Sequence, residues 1–542
     1  MSRPCQAVVR ARLPQTAAPT TVTADKVACL QAAEQIEPYL SDAAHYPGGR
    51  AARVFLPTTE AEVARVLEHG ETVLAVGAQS SLTGGATPRG GAVLSTARMN
   101  RILRWQESSV VVEAGVVLAE LEVELAARGL YYPPAPTFDG ATVGGMVSTN
   151  AAGAATFKYG ATRNWVEALS VVLADGDILD LKRGQVKADS GGCFEIVGSD
   201  GRSRTLQLPT YRMPQVPKHS AGYWNEPGMD LIDLFIGSEG TLGVVTTVEL
   251  RLVVPRPQWF VALVPVDDEG QAIALVEAIR KAVAAGSVDV TAVEYMDHRC
   301  LEFLKEDGAD TKRGVGLPAK ARALLLVQAE LCPQASREDA MEQLSREPSL
   351  RGETSLGRLC DIFAAHGVFD DVVPALPGET ARQRALFGLR EDVPESVNRR
   401  VREFQRTCGP EISKAAADVI VPFSGFAQAL RGYRSILTAR QLDHAIWGHI
   451  SDGNLHPNII ARSIQEMDSA REAILEMGQL AIGLGGSPMS EHGTGRSPIK
   501  HELLRCLYGA EGVEAMREVK RVLDPQGILA PGVMFPVVDT WQ

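Results

Sequence analysis

Apolar and polar positions repeat in two periods along this chain, and each change of period marks a helix or a strand. Residues 59–69 place Ala61, Val63, Val66 and Leu67 at helical spacing behind a Thr-Thr pair able to cap the first turn, which predicts an amphipathic helix. Residues 110–113 read as a strand, and 118–128 as a helix stopped by Gly129. Residues 169–173 and 178–181 flank Ala174-Asp175-Gly176-Asp177 and predict a hairpin. Residues 182–230 lack a period and carry Pro209, Pro214, Pro217 and Pro227, so a long surface excursion is expected before the core resumes at Met229.

After Val254-Pro-Arg-Pro257 the texture changes, as at a domain boundary. Strand signals at 259–266, 290–296, 324–331 and 418–423 mix with helix signals at 271–284, 337–344 and 426–438. That mixture predicts an α+β domain on a largely antiparallel sheet. A helix at 512–522, closed by Asp524-Pro525-Gln-Gly527, is expected to return to the first domain. The expected division is a flexible lead-in at 1–25, a first domain at 26–255, a second at 256–480 and a returning segment at 481–542.

Three Gly-rich segments follow or adjoin apolar runs: Gly77-Ala-Gln-Ser-Ser-Leu-Thr-Gly84-Gly85, Gly140-Ala-Thr-Val-Gly144-Gly145-Met-Val-Ser148-Thr149-Asn150-Ala-Ala-Gly153, and Gly237-Ser-Glu239-Gly240-Thr-Leu-Gly243. Successive N–H groups in such loops form anion-binding concavities, to which Ser80, Ser81, Thr83, Ser148 and Thr149 add hydroxyl donors. A dinucleotide pyrophosphate suits them. One such loop alone is more often a turn needing positive φ, but three in one region favour a ligand. None reads as a helix-opening GxGxxG after the first strand, so a Rossmann domain is not expected.

The richest chemistry lies in Trp447-Gly-His449-Ile-Ser-Asp452-Gly453-Asn454-Leu-His456-Pro-Asn458, with Ser490-Glu491-His492-Gly493 following. Asp-Gly at the centre of a four-residue loop predicts a hairpin in which His449 faces His456, Ile450 faces Leu455 and Trp447 faces Asn458. A single His in a hairpin is more often structural. Two facing imidazoles with a Glu-His pair instead suggest a metal site of His449, His456 and Glu491, with His492 beside the ion as a base. Zn, Mn and Fe all accept such N and O ligands.

Composition narrows the class. A chain of 542 residues with 45% hydrophobic content supports two or three domains with sizeable cores. A net charge of −12 argues against nucleic acid as partner. The eight cysteines are scattered without a CxxC pair, as expected of reduced thiols in an intracellular protein. No apolar run reaches the ~20 residues of a membrane span. A cytoplasmic location is expected, although the Arg-bearing, acid-poor start is also compatible with a transit peptide.

The ordered motifs resemble those of the FAD-linked D-2-hydroxy acid dehydrogenases of the vanillyl-alcohol oxidase superfamily, which include D-lactate, glycolate and D-2-hydroxyglutarate dehydrogenases. The likeness runs over 57–535 and rests on the three Gly-rich segments, Gly448-His-Ile-Ser-Asp-Gly-Asn-Leu-His456 and Ser490-Glu-His-Gly493. It implies a two-lobed FAD-binding domain of the PCMH type and an α+β cap domain on a largely antiparallel sheet. FAD contacts are implied at Gly77, Ala78, Gln79, Ser80, Ser81, Gly84, Pro136, Gly144, Gly145, Ser148, Asn150, Gly153, Gly160, Glu239, Gly243 and Asn454. It also implies His449, His456 and Glu491 as ligands of a divalent metal, His492 as proton acceptor, and Asn458 and Arg390 beside the substrate, with Lys414 assisting. For Arg390 and Lys414 a solvated helix charge is the competing reading.

Some positions depart from that pattern. Val76-Gly77-Ala-Gln-Ser80 stands where relatives have a triple Gly, and Ala530 stands where Asn is usual. Neither of the first two Gly-rich segments contains His or Cys, so the flavin is expected to be noncovalent. The implied reaction is oxidation of a D-2-hydroxy acid to the 2-keto acid by hydride transfer to the flavin, with electrons leaving to a separate acceptor: a quinone, an electron-transfer protein or oxygen. Competing readings are a lyase or transferase of the alkylglycerone-phosphate synthase type, a metal-dependent hydrolase, and a noncatalytic FAD-binding subunit of an oxidase complex. A homodimer is compatible with the sequence.

Overall fold

In the computed structural model, which describes residues 7–14, 27–134, 136–318, 320–347, 354–409 and 411–537, the two periods resolve into four sheets. The first orders Cys29–Leu30, Arg53–Phe55, Ala92–Ser95 and Val73–Val76, the last three parallel. The helix Glu60–Glu68 covers it. Thr59 caps this helix by accepting from the Glu62 N–H, and Val63, Ala64, Val66 and Leu67 are buried against Phe55, Val73 and Leu94. Each such Val or Leu contributes about 1.5–3 kcal/mol of burial. The C-terminal segment closes the edge, where the Val73 N–H donates to Ile528 and the Ala530 N–H donates to Val73.

The second sheet is antiparallel, in the order Ile102–Trp105, Ser109–Glu113, Val244–Arg251, Val166–Val172 and Ile178–Lys182. A third joins Val8–Arg10 to Cys193–Val197 and Ser203–Gln207. It corrects two expectations. Part of the supposed lead-in is a strand with Ala7 and Val9 buried, while residues 1–6 and 15–25 lie outside the described residues. The supposed surface excursion supplies two strands and buries Lys218, His219 and Ser220.

The fourth sheet is antiparallel throughout: Val373–Ala375, Gln258–Val266, Ala323–Leu331, Val290–Met296, His444–His449, Asn454–Ile459 and Ala415–Ala416, with Val419–Ile420 also against Asn454–Ile459. Helices cover both faces. Glu269–Ala284, Ser355–Ala365, Phe426–Ala439 and Ile464–Gly483 pack on one core, and His298–Glu306 and Thr380–Cys408 on the other. Phe260, Ala262 and Val264 face the first core and Val261 and Leu263 the second, which is why the strand reads as an unbroken apolar run. The His-bearing hairpin forms two of the strands of this sheet. Among the described residues, no helix is long and apolar enough to cross a membrane.

Candidate active site

The hairpin pairs Trp447 with His456, Ile446 with Pro457 and Ala445 with Asn458. The expected register, His449 against His456 and Trp447 against Asn458, is therefore shifted by two residues. The cause is a longer turn. Ile450–Asp452 form a 3-10 turn, Asp452 Oδ1 accepts from the Asn454 N–H at 3.1 Å, and Gly453 sits at φ 89°. An even shift keeps side chains on their face of the sheet. His449 and His456 thus still meet, edge to face, with ring centroids 5.5 Å apart.

Glu491 arrives from a loop whose backbone donors are satisfied one after another. Asp418 Oδ2 accepts from Ser490, Glu491 and His492 at 3.1, 2.9 and 2.9 Å. Ser220 Oγ accepts from Gly493, and the two carboxylate oxygens of Glu239 accept from Thr494 and Gly495. Two carboxylates and a hydroxyl from three parts of the chain therefore fix this loop. Gly495 is needed where it stands: φ is +58°, and a Cβ would lie 2.2 Å from Thr83 Oγ1.

Held this way, Glu491 Oε1 is 3.3 Å from His449 Nε2 and 3.2 Å from His456 Nε2. The other oxygen, Oε2, accepts from Lys218 Nζ at 2.7 Å. Lys218 also lies 3.2 Å from Asp452 Oδ2 and is almost fully buried. Three donors on one point fit a divalent cation, with the lysine neutralising the carboxylate from the far side. A second grouping, Asp418, His456, Glu491 and His492, brings its ligand atoms within 4.8 Å of one another. Asp418 is the weaker ligand of the two sets, because its Oδ2 already accepts three N–H bonds.

Electrostatics separate the imidazoles. Burial presses His449 down, but Glu294 and Glu491 outweigh it and raise it to about 9, so an incoming cation displaces a proton there. Burial lowers His492 to about 4 despite Asp418, and the neighbouring His456 adds to the lowering. His492 is therefore neutral near pH 7 and free to accept a proton. Its ring stacks on His456 at 5.1 Å. Asn458 is buried with Oδ1 unpaired among the described residues.

Two cavities meet at this loop. One runs between the Gly-rich segments and the other, of about 520 Å³, lies where the first domain meets the second; Leu82, Thr137, Glu491 and His492 line both. Arg390, Lys414, His449, His456 and Asn458 line the second. Arg390 donates from Nε to Glu294 Oε2 at 2.8 Å, so it is no solvated helix charge. Lys414 has no ion pair with a described residue, and burial lowers it to about 8.

The profile of FAD linked oxidases, C-terminal domain, matches residues 258–534, and that of an FAD binding domain matches residues 51–182. The glycolate oxidase subunit GlcD of Bacillus subtilis is 30% identical over 492 residues, covering 89% of this chain and 88% of its own. The chain belongs to the FAD-linked oxidase family. This member of the family is thus a flavoprotein oxidoreductase. A D-lactate dehydrogenase of Anaerostipes hadrus is 28% identical over 498 residues, covering 88% of this chain and 87% of its own. A solved alkyldihydroxyacetonephosphate synthase shares the fold, with TM-score 0.56 and 16% identity over 89% of this chain and 76% of its own.

The first cavity fits FAD. Gly77, Ala78, Gln79, Ser80, Ser81, Pro136, Gly144, Gly145, Ser148, Glu239 and Gly243 line it. A Cβ on Gly77 would come 2.0 Å from Thr142 Oγ1, and one on Gly144 2.6 Å from Ala114 Cβ, so both walls are bare backbone. The second Gly-rich segment is in fact the short helix Val143–Thr149, where Gly144 serves close packing and not positive φ.

Five expected FAD contacts do not line this cavity. Gly84 packs on the Tyr46 ring, and Asn150 accepts from the Arg163 N–H. Gly153 and Gly160 bracket the helix Thr156–Tyr159, and Asn454 donates to Val419 within the second domain. Glu239 lines the cavity, yet both its oxygens hold the 494–495 backbone. Sequence reasoning missed Lys218, Glu294, Asp418 and Ser220. Only Asp418 had a visible signal, an acid beside an apolar strand.

Proposed function

We propose that this enzyme oxidises a D-2-hydroxy acid to the 2-keto acid, using noncovalent FAD and a divalent ion held by His449, His456 and Glu491. The observation that carries the reading is the convergence of both Nε2 atoms on Glu491 Oε1, in the wall between the flavin cleft and the second cavity. The curated names of its relatives, glycolate oxidase and D-lactate dehydrogenase, support the substrate class.

When bound, the flavin supplies the hydride acceptor and the ion supplies a Lewis acid that increases the acidity of the substrate hydroxyl. Arg390, facing the second cavity, anchors the substrate carboxylate. Asn458, buried with Oδ1 unpaired and lining the same cavity, packs beside the substrate and orients its α-carbon toward the flavin cleft. Neutral His492, lining both cavities, takes the hydroxyl proton. Lys414 offers a second positive charge for an anionic substrate. Reoxidation of a bound FAD would fall to a separate acceptor.

Anaerobic mixing with a panel of D- and L-hydroxy acids tests the reading. Flavin bleaching by D-acids with 2-keto acid formation supports it, and a flavin that stays oxidised with every hydroxy acid refutes it.

A further inference from the structure

We propose that Glu294 is a positioning residue that joins the guanidinium of Arg390 to the imidazole of His449, so that one carboxylate sets both the substrate anchor and a metal ligand. This rests on the metal-site reading above. Glu294 belongs to the strand Val290–Met296, every residue of which is buried, and it lies directly opposite His449 in the register. Only 2% of it is exposed, and neither cavity is lined by it, so it touches neither substrate nor flavin. A carboxylate on a strand covered on both faces needs partners for both oxygens.

It has them, and they are divided. Oε1 faces His449 Nδ1 at 2.5 Å, while Oε2 accepts from Arg390 Nε at 2.8 Å. Accepting at Nδ1 fixes the tautomer that leaves the Nε2 lone pair toward Glu491. Accepting from Nε holds the guanidinium plane and leaves its terminal nitrogens to the cavity. A shift of either partner moves the carboxylate against the other.

Glu294→Gln separates the two duties, because its amide puts an NH2 donor where one of the two oxygens stood, and that donor then faces the N–H of Arg390 or of His449. The probe is Zn2+ or Mn2+ affinity, read by chelator competition on FAD-loaded protein. Glu294→Gln is expected to weaken the ion by about 10- to 100-fold, as loss of such an outer partner does elsewhere, and to raise KM for the hydroxy acid. Arg390→Met, which removes no metal ligand, is expected to weaken the ion several-fold in the native background and to have no effect in Glu294→Gln.

Wild-type affinity in Glu294→Gln, or additive effects of the two changes, would overturn the coupling. If Glu294→Gln does not fold, Arg390→Met alone decides, since unchanged ion affinity there contradicts the proposal. A native protein that binds no ion at its three ligands would instead overturn the metal-site reading, so the two failures are distinct.

Discussion

Replacing Asp418 by Asn distinguishes a brace from a metal ligand. The Asp418 carboxylate is buried and held well below its ordinary range: burial opposes ionisation, but His492, Lys500 and His456 favour it more strongly. Its Oδ2 receives the N–H groups of Ser490, Glu491 and His492, and Lys500 Nζ stands 3.8 Å away. Asn keeps one oxygen for the three donors but removes the charge. Charge-assisted hydrogen bonds contribute roughly 1 kcal/mol more than neutral ones, so three of them imply a destabilisation of about 3 kcal/mol. Asp418→Ala, which orphans all three donors at about 1–3 kcal/mol each, is expected to be worse. Urea unfolding, with metal content measured on the folded fraction, reads both effects. The brace account expects Asp418→Asn to unfold at lower urea while the folded protein retains its ion. Unchanged unfolding with loss of the ion would make Asp418 a ligand and refute this reasoning.

Other outcomes follow from the same geometry. His492→Ala is expected to slow flavin reduction by about 10²- to 10⁴-fold with FAD content unchanged, measured by anaerobic stopped-flow; an unaltered rate removes His492 from the chemistry. Lys414 is lowered to about 8 by burial, so its amine is charged below that pH and neutral above. KM for the hydroxy acid should therefore stay flat to about pH 8 and rise beyond it, with Lys414→Met raising KM at pH 7 and abolishing the rise. Gly77→Ala, whose Cβ would meet Thr142 Oγ1, should lower FAD content per chain, read from the ratio of flavin to protein absorbance. Ala530 sits at φ 45°, where a Cβ is strained, so Ala530→Gly should raise stability by about 1 kcal/mol in urea unfolding.

Helices with a clear apolar stripe and a capping residue were legible to within a few positions. The expected 59–69 became Glu60–Glu68, and 271–284 became Glu269–Ala284, because period and cap are local signals. The long helix Thr380–Cys408 escaped, since Pro394 and a run of charges mask its stripe. So did Cys193–Val197 and Ser203–Gln207, short strands that pair with each other and, through Cys193–Val197, with the distant Val8–Arg10. At the site, the grouping of His449, His456 and Glu491 was legible, because imidazole and carboxylate side chains that can share a cation are recognisable from residue type. The hairpin register was not, because the Asp452 turn adds length that Asp-Gly alone does not announce. Lys218 and Glu294 were invisible for another reason: Glu491 and His449, which they meet in the site, are more than 150 residues away, so only tertiary folding brings these pairs together.

The central claim is that an ion at His449, His456 and Glu491 is required for the flavin to take electrons from a hydroxy acid. Its most direct measurement is flavin bleaching under anaerobic conditions in protein stripped of metal, verified by elemental analysis, and then reloaded. The account predicts that stripped protein keeps its FAD but does not bleach with a D-hydroxy acid, and that one equivalent of Zn2+ or Mn2+ per chain restores bleaching. Bleaching at the native rate in verified metal-free protein would contradict it.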